Sequence, residues 1–319
     1  MKWYWLTWRY TALLLLDGAR VAVTGAGGFI GASVMRALIE AGAEPLAIIG
    51  PDNASTPSGE VTQGNLTNPA FAAAALSSAD GVIHLAARSG GIRTQGKDDI
   101  LSFNQAITSS VFDAASVTTT KRVFAASSAV IYQDSLQPLV ESDPMTPRDE
   151  ANPYAVSKMD DEQEGIGRTA RGEISVVFGR LGNVIGPVPP NAPRRTTVVY
   201  DLISKAAAAT KSIEVWGDGT AIRSFVHVDD VGAAVVKVFT SGASGEAYNI
   251  DSGDPVQMGD LAQLIRDRVA PAAELRFDPE KPTGPAYRVL EMDKLNRLGF
   301  SSRWSSIEAV DDTLRSLGF

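Results

Sequence analysis

Beyond Gly18 the chain alternates short apolar runs with longer stretches of helical spacing. Val21-Ala22-Val23, Pro45 to Ile49, Gly81 to Ala86, Arg122 to Ala126 and Ile174 to Phe178 are near-continuous apolar runs of strand length. A glycine turn leads from the first run into a helix that continues to about Ala41. Asp98 to Ala115 carries Ile100, Phe103, Ile107, Val111 and Ala114 at helical spacing, so it predicts a second long helix. Gly50 to Glu60 is polar and rich in Pro and Ser, which predicts a loop. Strands that are apolar throughout and separated by helices are buried on both faces. The expected fold class is therefore α/β, a doubly wound parallel sheet.

The pattern changes after Arg180. Gly186 to Arg195 is proline-rich and ends in two arginines, and Gly182 to Trp216 and Asp251 to Arg288 mix turns with short helices. These segments predict a smaller lobe beside the sheet. His227 to Phe239 returns to helical spacing, with Asp229 or Asp230 placed as N-cap. The expected organisation is an N-terminal extension (1–17), a nucleotide-binding domain (18–182, with 223–250 returning to it) and an interleaved lobe (183–222 and 251–319). The extension holds Trp3, Trp5, Trp8 and the run Leu13 to Leu16. Its apolar part is short and Arg9 interrupts it, so we expect neither a signal peptide nor a membrane anchor.

Composition narrows the chemistry. A net charge of −8 over 319 residues disfavours nucleic acid as a partner. With no cysteine, the chain has no disulfide, thiolate ligand or thiol nucleophile. Its only two histidines, His84 and His227, lie far apart in sequence, and no metal site is expected. A reducing cytoplasm is the default compartment. Catalysis then rests on hydroxyls, amines, carboxylates or a cofactor.

Thr24-Gly25-Ala26-Gly27-Gly28-Phe29-Ile30-Gly31 follows the first strand and opens the first helix. Glycines there let backbone approach a pyrophosphate, and the helix N-terminus supplies N–H donors and partial positive charge. Ile30 breaks the strict G-x-G-x-x-G pattern, and Gly25, Gly28 and Gly31 form G-x-x-G-x-x-G instead. The context predicts a Rossmann-type site for a dinucleotide, NAD or NADP. Asp52 follows the second strand late, and is either a ribose ligand or a solvated loop residue.

Asn152-Pro153 suits a helix start, and it places Tyr154 and Lys158 one turn apart on one face. An ammonium about 4 Å from a phenol favours the phenolate by up to about 4 kcal/mol at an effective dielectric of 20. Such a pair suits general acid–base work. Ser127-Ser128 closes the Arg122 strand, at the end of a parallel sheet where ligands bind. A serine there can donate to a substrate oxygen whose charge changes.

The ordered set resembles the extended short-chain dehydrogenase/reductase family, the NAD-dependent epimerase/dehydratases that act on nucleotide sugars. Its pieces are the glycine run, His84 to Ala87, Asn104, Ser127-Ser128, Tyr154-x-x-x-Lys158, Arg180 to Pro187, Trp216 to Gly219, Arg223 to Asp230 and Tyr248 to Gly253. The resemblance implies that Gly25, Gly28, Phe29, Ile30 and Gly31 hold the pyrophosphate. It places Leu85, Ala86 and Ala87 on the floor of the cofactor site, with Asn104 nearby and Asn65 and Leu66 near the adenine. It gives Lys158 a second role at the nicotinamide ribose. Tyr154, Lys158 and Ser128 would be catalytic, with Ser128 also touching substrate. Asn183 and Arg223 would face the nucleotide diphosphate, assisted by Arg194 or Arg195. It further implies a homodimer formed through the helices that begin near Asp98 and Tyr154.

Within the family, Ala129-Val130 stands where 4,6-dehydratases carry acids, so dehydration is not expected. Ser127 to Tyr132, Ser89 to Ile92 and the Trp216 segment look closest to GDP-fucose synthases and GDP-mannose 3,5-epimerases. Val130 cannot carry a proton, unlike the cysteine of those epimerases. A 4-epimerase and a 4-ketoreductase both fit; a ketoreductase of non-sugar ketones, or a non-catalytic NAD(P) sensor, are the other readings.

Overall fold

A computed structural model of the chain describes residues 16–89, 99–118, 121–188 and 197–319. Its main sheet is built from β1 (Arg20–Thr24), β2 (Glu44–Ile49), β3 (Glu60–Gln63), β4 (Gly81–His84), β5 (Arg122–Ser128), β6 (Ser175–Leu181) and β11 (Ala247–Ile250). The strand order is β11-β6-β5-β4-β1-β2-β3, with every neighbour parallel. From β1 the chain first builds outward through β2 and β3, then crosses to β4, β5 and β6 on the other side. The crevice where direction reverses lies beyond the ends of β1 and β4, which is where such sheets bind ligands.

Side chains alternate across each strand, and here both faces are apolar. Val21 and Val23 of β1 enter one core, while Ala22 enters the other. The first core is closed by α1 (Phe29–Glu40) and α6 (Val228–Ser241) through Val34, Leu38, Val231 and Val235. Those helices meet at Gly232, where an added Cβ would stand 2.4 Å from Ser33 Oγ. The second core is closed by α2 (Pro69–Leu76) and α3 (Asp99–Ala115) through Ala72, Leu76, Ile107, Val111 and Phe112. Next to α3 lies α4 (Pro153–Ala170), which also packs on β5 and β6.

A third core belongs to the lobe. There α5 (Val198–Ala208), α7 (Met258–Val269) and α9 (Ser306–Ser316) enclose Val199, Ile203, Ile213, Leu261, Ile265 and Val310. Around them run β7 (Asn183–Ile185), β8 (Ser212–Trp216), β9 (Ile222–Arg223), β10 (Phe225–His227), β12 (Val256–Gln257), β13 (Glu274–Asp278) and β14 (Tyr287–Arg288), with the short α8 (Asp293–Arg297) following. They form small sheets, β10-β7, β12-β9-β14 and β13-β8.

Two expectations are corrected. The segment after β2 is a loop only as far as Gly59, because Glu60 to Gln63 forms the edge strand β3. Its Glu-Val-Thr-Gln sequence is largely exposed and pairs only with β2, so it has no apolar period to reveal it. The N-cap of α6 is His227 rather than Asp229 or Asp230, and its imidazole accepts from the Asp229 amide at 3.1 Å. β10 runs into α6 without a loop, so the cap falls on the last strand residue. Asp230 is instead buried in the first turn, where its carboxylate accepts from the Ser302 hydroxyl and from the Arg303 and Trp304 amides.

Candidate active site

The glycine run sits at the crevice beyond β1. Gly25 turns the chain with φ +72°, in the left-handed region, and an added Cβ would lie 3.0 Å from the Ala86 amide nitrogen. Gly31 lies inside α1, where a Cβ would meet the Gly25 carbonyl oxygen at 2.2 Å. Gly28 is the N-cap of α1 and has no side chain with which to cap it. The leading amides of a helix have no acceptors within it. A strand end, a glycine turn and a helix N-terminus that opens on glycine therefore fit the pyrophosphate of a dinucleotide.

The loop after β2 folds over this turn, a feature that was not expected. Gln63 on β3 donates its amide to the carbonyls of Pro51 (2.8 Å), Asn53 (3.0 Å) and Gly50 (3.3 Å). Asn53 accepts from the Ser55 amide, and both side chains lie against Gly27, where a Cβ would stand 1.9 Å from Ser55 Oγ. Asp52 is exposed in the turn itself. Asn65 is also exposed and accepts from the amide and hydroxyl of Thr67, while Leu66 is buried in the core behind the loop. The sequence predicts the loop, but its course over Gly27 depends on Gln63 of β3, a strand with no apolar period.

Beyond β4 the backbone of Leu85 and Ala86 leaves the sheet, and both amides donate to Thr24 Oγ1 at 3.2 Å. His84 spans the layers, with Nδ1 2.8 Å from Thr24 Oγ1 and Nε2 3.3 Å from Thr108 Oγ1. Burial, with the nearby Lys158 charge adding to it, holds His84 down at about 3, so the imidazole is neutral. Asn104 is buried on α3 and uses both ends of its amide on the chain. It accepts from the Arg88 amide and donates to the Arg88 carbonyl and to Ser157 Oγ. That holds the strand end just past Ala86 and Ala87.

Asn152 caps α4 by accepting from the Ala155 amide at 2.9 Å, and Pro153 occupies the first turn. Tyr154 is half-buried and Lys158 fully buried, with Lys158 Nζ 6.0 Å from the Tyr154 ring centre. Lys158 also donates to Asp161 at 2.9 Å, with both side chains buried. Burial works to lower the lysine pKa, but the Asp161, Tyr154 and Glu162 charges outweigh it and the net direction is upward. Ser128 ends β5, and its hydroxyl accepts from the Val130 amide across a short turn, Ala129–Ile131, against which α4 packs.

On the lobe side, Arg223 donates to the carbonyls of Ile222, Thr283 and Pro285. Its pKa is brought down to about 10, first by burial and then by the like charge of Arg288. Arg288 donates to the Ala129 carbonyl and to Asp134, and burial lowers its pKa as well. Two half-buried guanidiniums close enough to repel one another favour an anion between them. Arg288 was not singled out in the sequence, because β14 has two residues and no period. Asn183 donates to the Ser224 carbonyl at 3.0 Å, at the mouth of the same lobe. Arg194 and Arg195 lie outside the described residues, as do residues 90–98 and the aromatic extension through Leu15.

Among the described residues no cluster of His, Asp or Glu could hold a metal, and no helix is long and apolar enough to cross a membrane.

The chain is similar to known proteins of one family. The family model described as the NAD dependent epimerase/dehydratase family matches residues 21–251. A dTDP-4-dehydro-6-deoxy-D-allose reductase from Streptomyces sp is 30% identical over 301 residues, covering 88% of this chain and 90% of the relative. A GDP-mannose 3,5-epimerase 1 from Oryza sativa subsp. japonica is 31% identical over 259 residues, covering 77% of this chain and 68% of the relative. The structure of an epimerase from Methanothermobacter thermautotrophicus superposes with a TM-score of 0.85 at 23% identity, covering 96% of this chain and 94% of that one.

Proposed function

The chain belongs to the NAD dependent epimerase/dehydratase family, and from that premise we propose that it transfers hydride at the C4 carbinol or ketone of a nucleotide sugar, as a 4-epimerase or a 4-ketoreductase. The observation that carries the reading is the meeting of two groups at the turn that follows Ser128. Tyr154 and Lys158 lie on α4, which packs on the Ala129–Ile131 turn after Ser128, and Arg288, whose charge acts on Arg223, donates to the Ala129 carbonyl of that same turn. The first group suits a carbonyl or alcohol, and the second suits a diphosphate.

The nicotinamide, when bound, supplies or takes up the hydride. Tyr154 gives a proton to the sugar oxygen as the ketone is reduced, or takes it as the alcohol is oxidised. Lys158 holds a positive charge beside the phenol, which favours the phenolate side of that exchange. The Ser128 hydroxyl donates to the same oxygen. Asn104 keeps the cofactor-side strand end fixed through Arg88. Arg223 and Arg288 bind the diphosphate, with Asn183 beside them, and so present the sugar to Tyr154.

Incubation with UDP-, GDP- and dTDP-sugars and their 4-keto forms tests this, followed by NMR for isomers and absorbance for the cofactor. We expect turnover on at least one, and its near-complete loss in Tyr154→Phe. No turnover on any of them would count against the reading. Copurified NAD would favour the epimerase, and uptake of NADPH by an empty protein the reductase.

We also propose a homodimer through α3 and α4. Their outer surface carries Gln105 bonded to Asp160 and Ser109 bonded to Glu164. Sedimentation at the monomer mass would contradict it.

A further inference from the structure

We propose that Asp161 is a positioning residue for the Tyr154–Lys158 pair, holding the Lys158 side chain in one place and its ammonium charged. The inference rests on the reading that this pair moves the proton.

Asp161 lies one turn beyond Lys158 on the same face of α4, and the bond between them is 2.9 Å. The lysine side chain is 4% exposed and the aspartate 3%. An ammonium removed from water to this extent tends to shed its proton unless an anion compensates. The other charged or titratable groups facing Lys158 do not supply that anion. On α4, Glu162 is taken by Arg180 of β6, with paired bonds of 2.9 and 2.7 Å. On β4, His84 is neutral and bonded to two threonines. Tyr154, also on α4, is the proton carrier itself. Among the described residues, Asp161 is the one carboxylate bonded to Lys158.

The geometry also fits the second task assigned to the lysine. An ammonium has three N–H donors, and Asp161 takes one. Two remain for ribose hydroxyls. A long, flexible side chain fixed at its tip loses less freedom when the cofactor arrives. Asp161 therefore contributes both charge and preorganisation, without touching substrate.

Lysine ε-carbon NMR on the full chain tests this directly, with the Lys158 signal assigned by its absence in Lys158→Arg. In the wild type, Lys158 should keep its proton beyond the ordinary lysine range. In Asp161→Asn its titration should fall by at least about one pH unit, and Asp161→Glu should restore most of the difference. The alkaline limb of the rate profile should move down with it, which a purely structural role would not produce. An unmoved Lys158 titration in Asp161→Asn would overturn the proposal. Should that variant fail to fold by circular dichroism, the wild type decides alone, because a Lys158 that titrates below the ordinary lysine range overturns it equally. The NMR needs no substrate. A protein that shows the Asp161 effect yet turns over no nucleotide sugar would sink the functional reading and leave this inference standing.

Discussion

Arg288 donates to the carbonyl of Ala129, the residue that follows Ser128. The lobe is thereby tied to the turn that ends the central strand β5. The arginine proposed for the diphosphate and the serine proposed for the sugar oxygen thus share one short stretch of backbone. Arg223 lacks such a tie, since its donors go to carbonyls of its own lobe.

The two arginines should therefore fail differently. Arg223→Ala should weaken binding of UDP, GDP or dTDP by about 10- to 100-fold, the cost of a charged hydrogen bond. Arg288→Ala should do the same and also lower kcat, because the turn beside Ser128 loses its anchor. Calorimetry for binding and steady-state kinetics for kcat separate the effects. Equal kcat in both variants would remove the special role of Arg288.

Gln63 should matter for the cofactor without touching it. Its single amide gathers three carbonyls of the loop that folds over Gly27. Gln63→Ala should weaken NAD(P) binding by about tenfold, the equivalent of about 1.4 kcal/mol. Thermal stability should hardly change, because the residue is exposed at the sheet edge. Fluorescence titration with NADH and NADPH would show it, and unchanged affinity for both would refute it.

Gly31 tolerates no side chain. A Cβ there would stand 2.2 Å from the Gly25 carbonyl, which is backbone and cannot swing away. Gly31→Ala should cost about 1–3 kcal/mol by overpacking and displace the turn proposed to receive the pyrophosphate. Chemical denaturation and cofactor titration should both register the change. A variant of wild-type stability and affinity would mean that α1 shifts more freely than its packing indicates.

Asp251 gives a pH signature of defined sign. Burial raises its carboxyl from 3.8 to about 6, against the opposing bonds from the Ser224 hydroxyl and the Ser252 and Leu290 amides. Because the folded value lies above the unfolded one, the folded state binds the proton more tightly. That contribution is complete below about pH 4 and lost as pH rises through about 6. The interval is worth about 3 kcal/mol as an upper figure. Asp251→Asn should therefore compare more favourably with the wild type at pH 8 than at pH 4 in urea unfolding. A difference independent of pH would exclude the linkage.

The legible parts of the chain were those in which chemistry is local. The strand-turn-helix around Gly25 to Gly31, and the Asn152-Pro153 start of α4, depend on neighbours in sequence. The remainder depends on tertiary meetings. Arg288 reaches Ala129 across about half the chain length, from a strand too short to show a period. Gln63 acts from an edge strand whose polar sequence resembles a loop. His227 displaced two aspartates as a helix cap because a strand ran straight into the helix. Asp161 stood in plain view within Lys-Met-Asp-Asp-Glu, but only its bond to Lys158 distinguishes it from the equally buried Glu162, which pairs with Arg180.

Both imidazoles of this chain serve as fasteners. His84 joins Thr24 of β1 to Thr108 of α3, and His227 caps α6 while stacking on Trp304 at 4.4 Å. At 2% and 1% exposure they are sealed from solvent, and the chain has no cysteine. Acylating agents aimed at imidazole and alkylating agents aimed at sulfhydryls thus have nothing of their usual kind to reach in the folded enzyme. Reagents and oxidants that silence enzymes through a catalytic thiol should therefore find no such target in it.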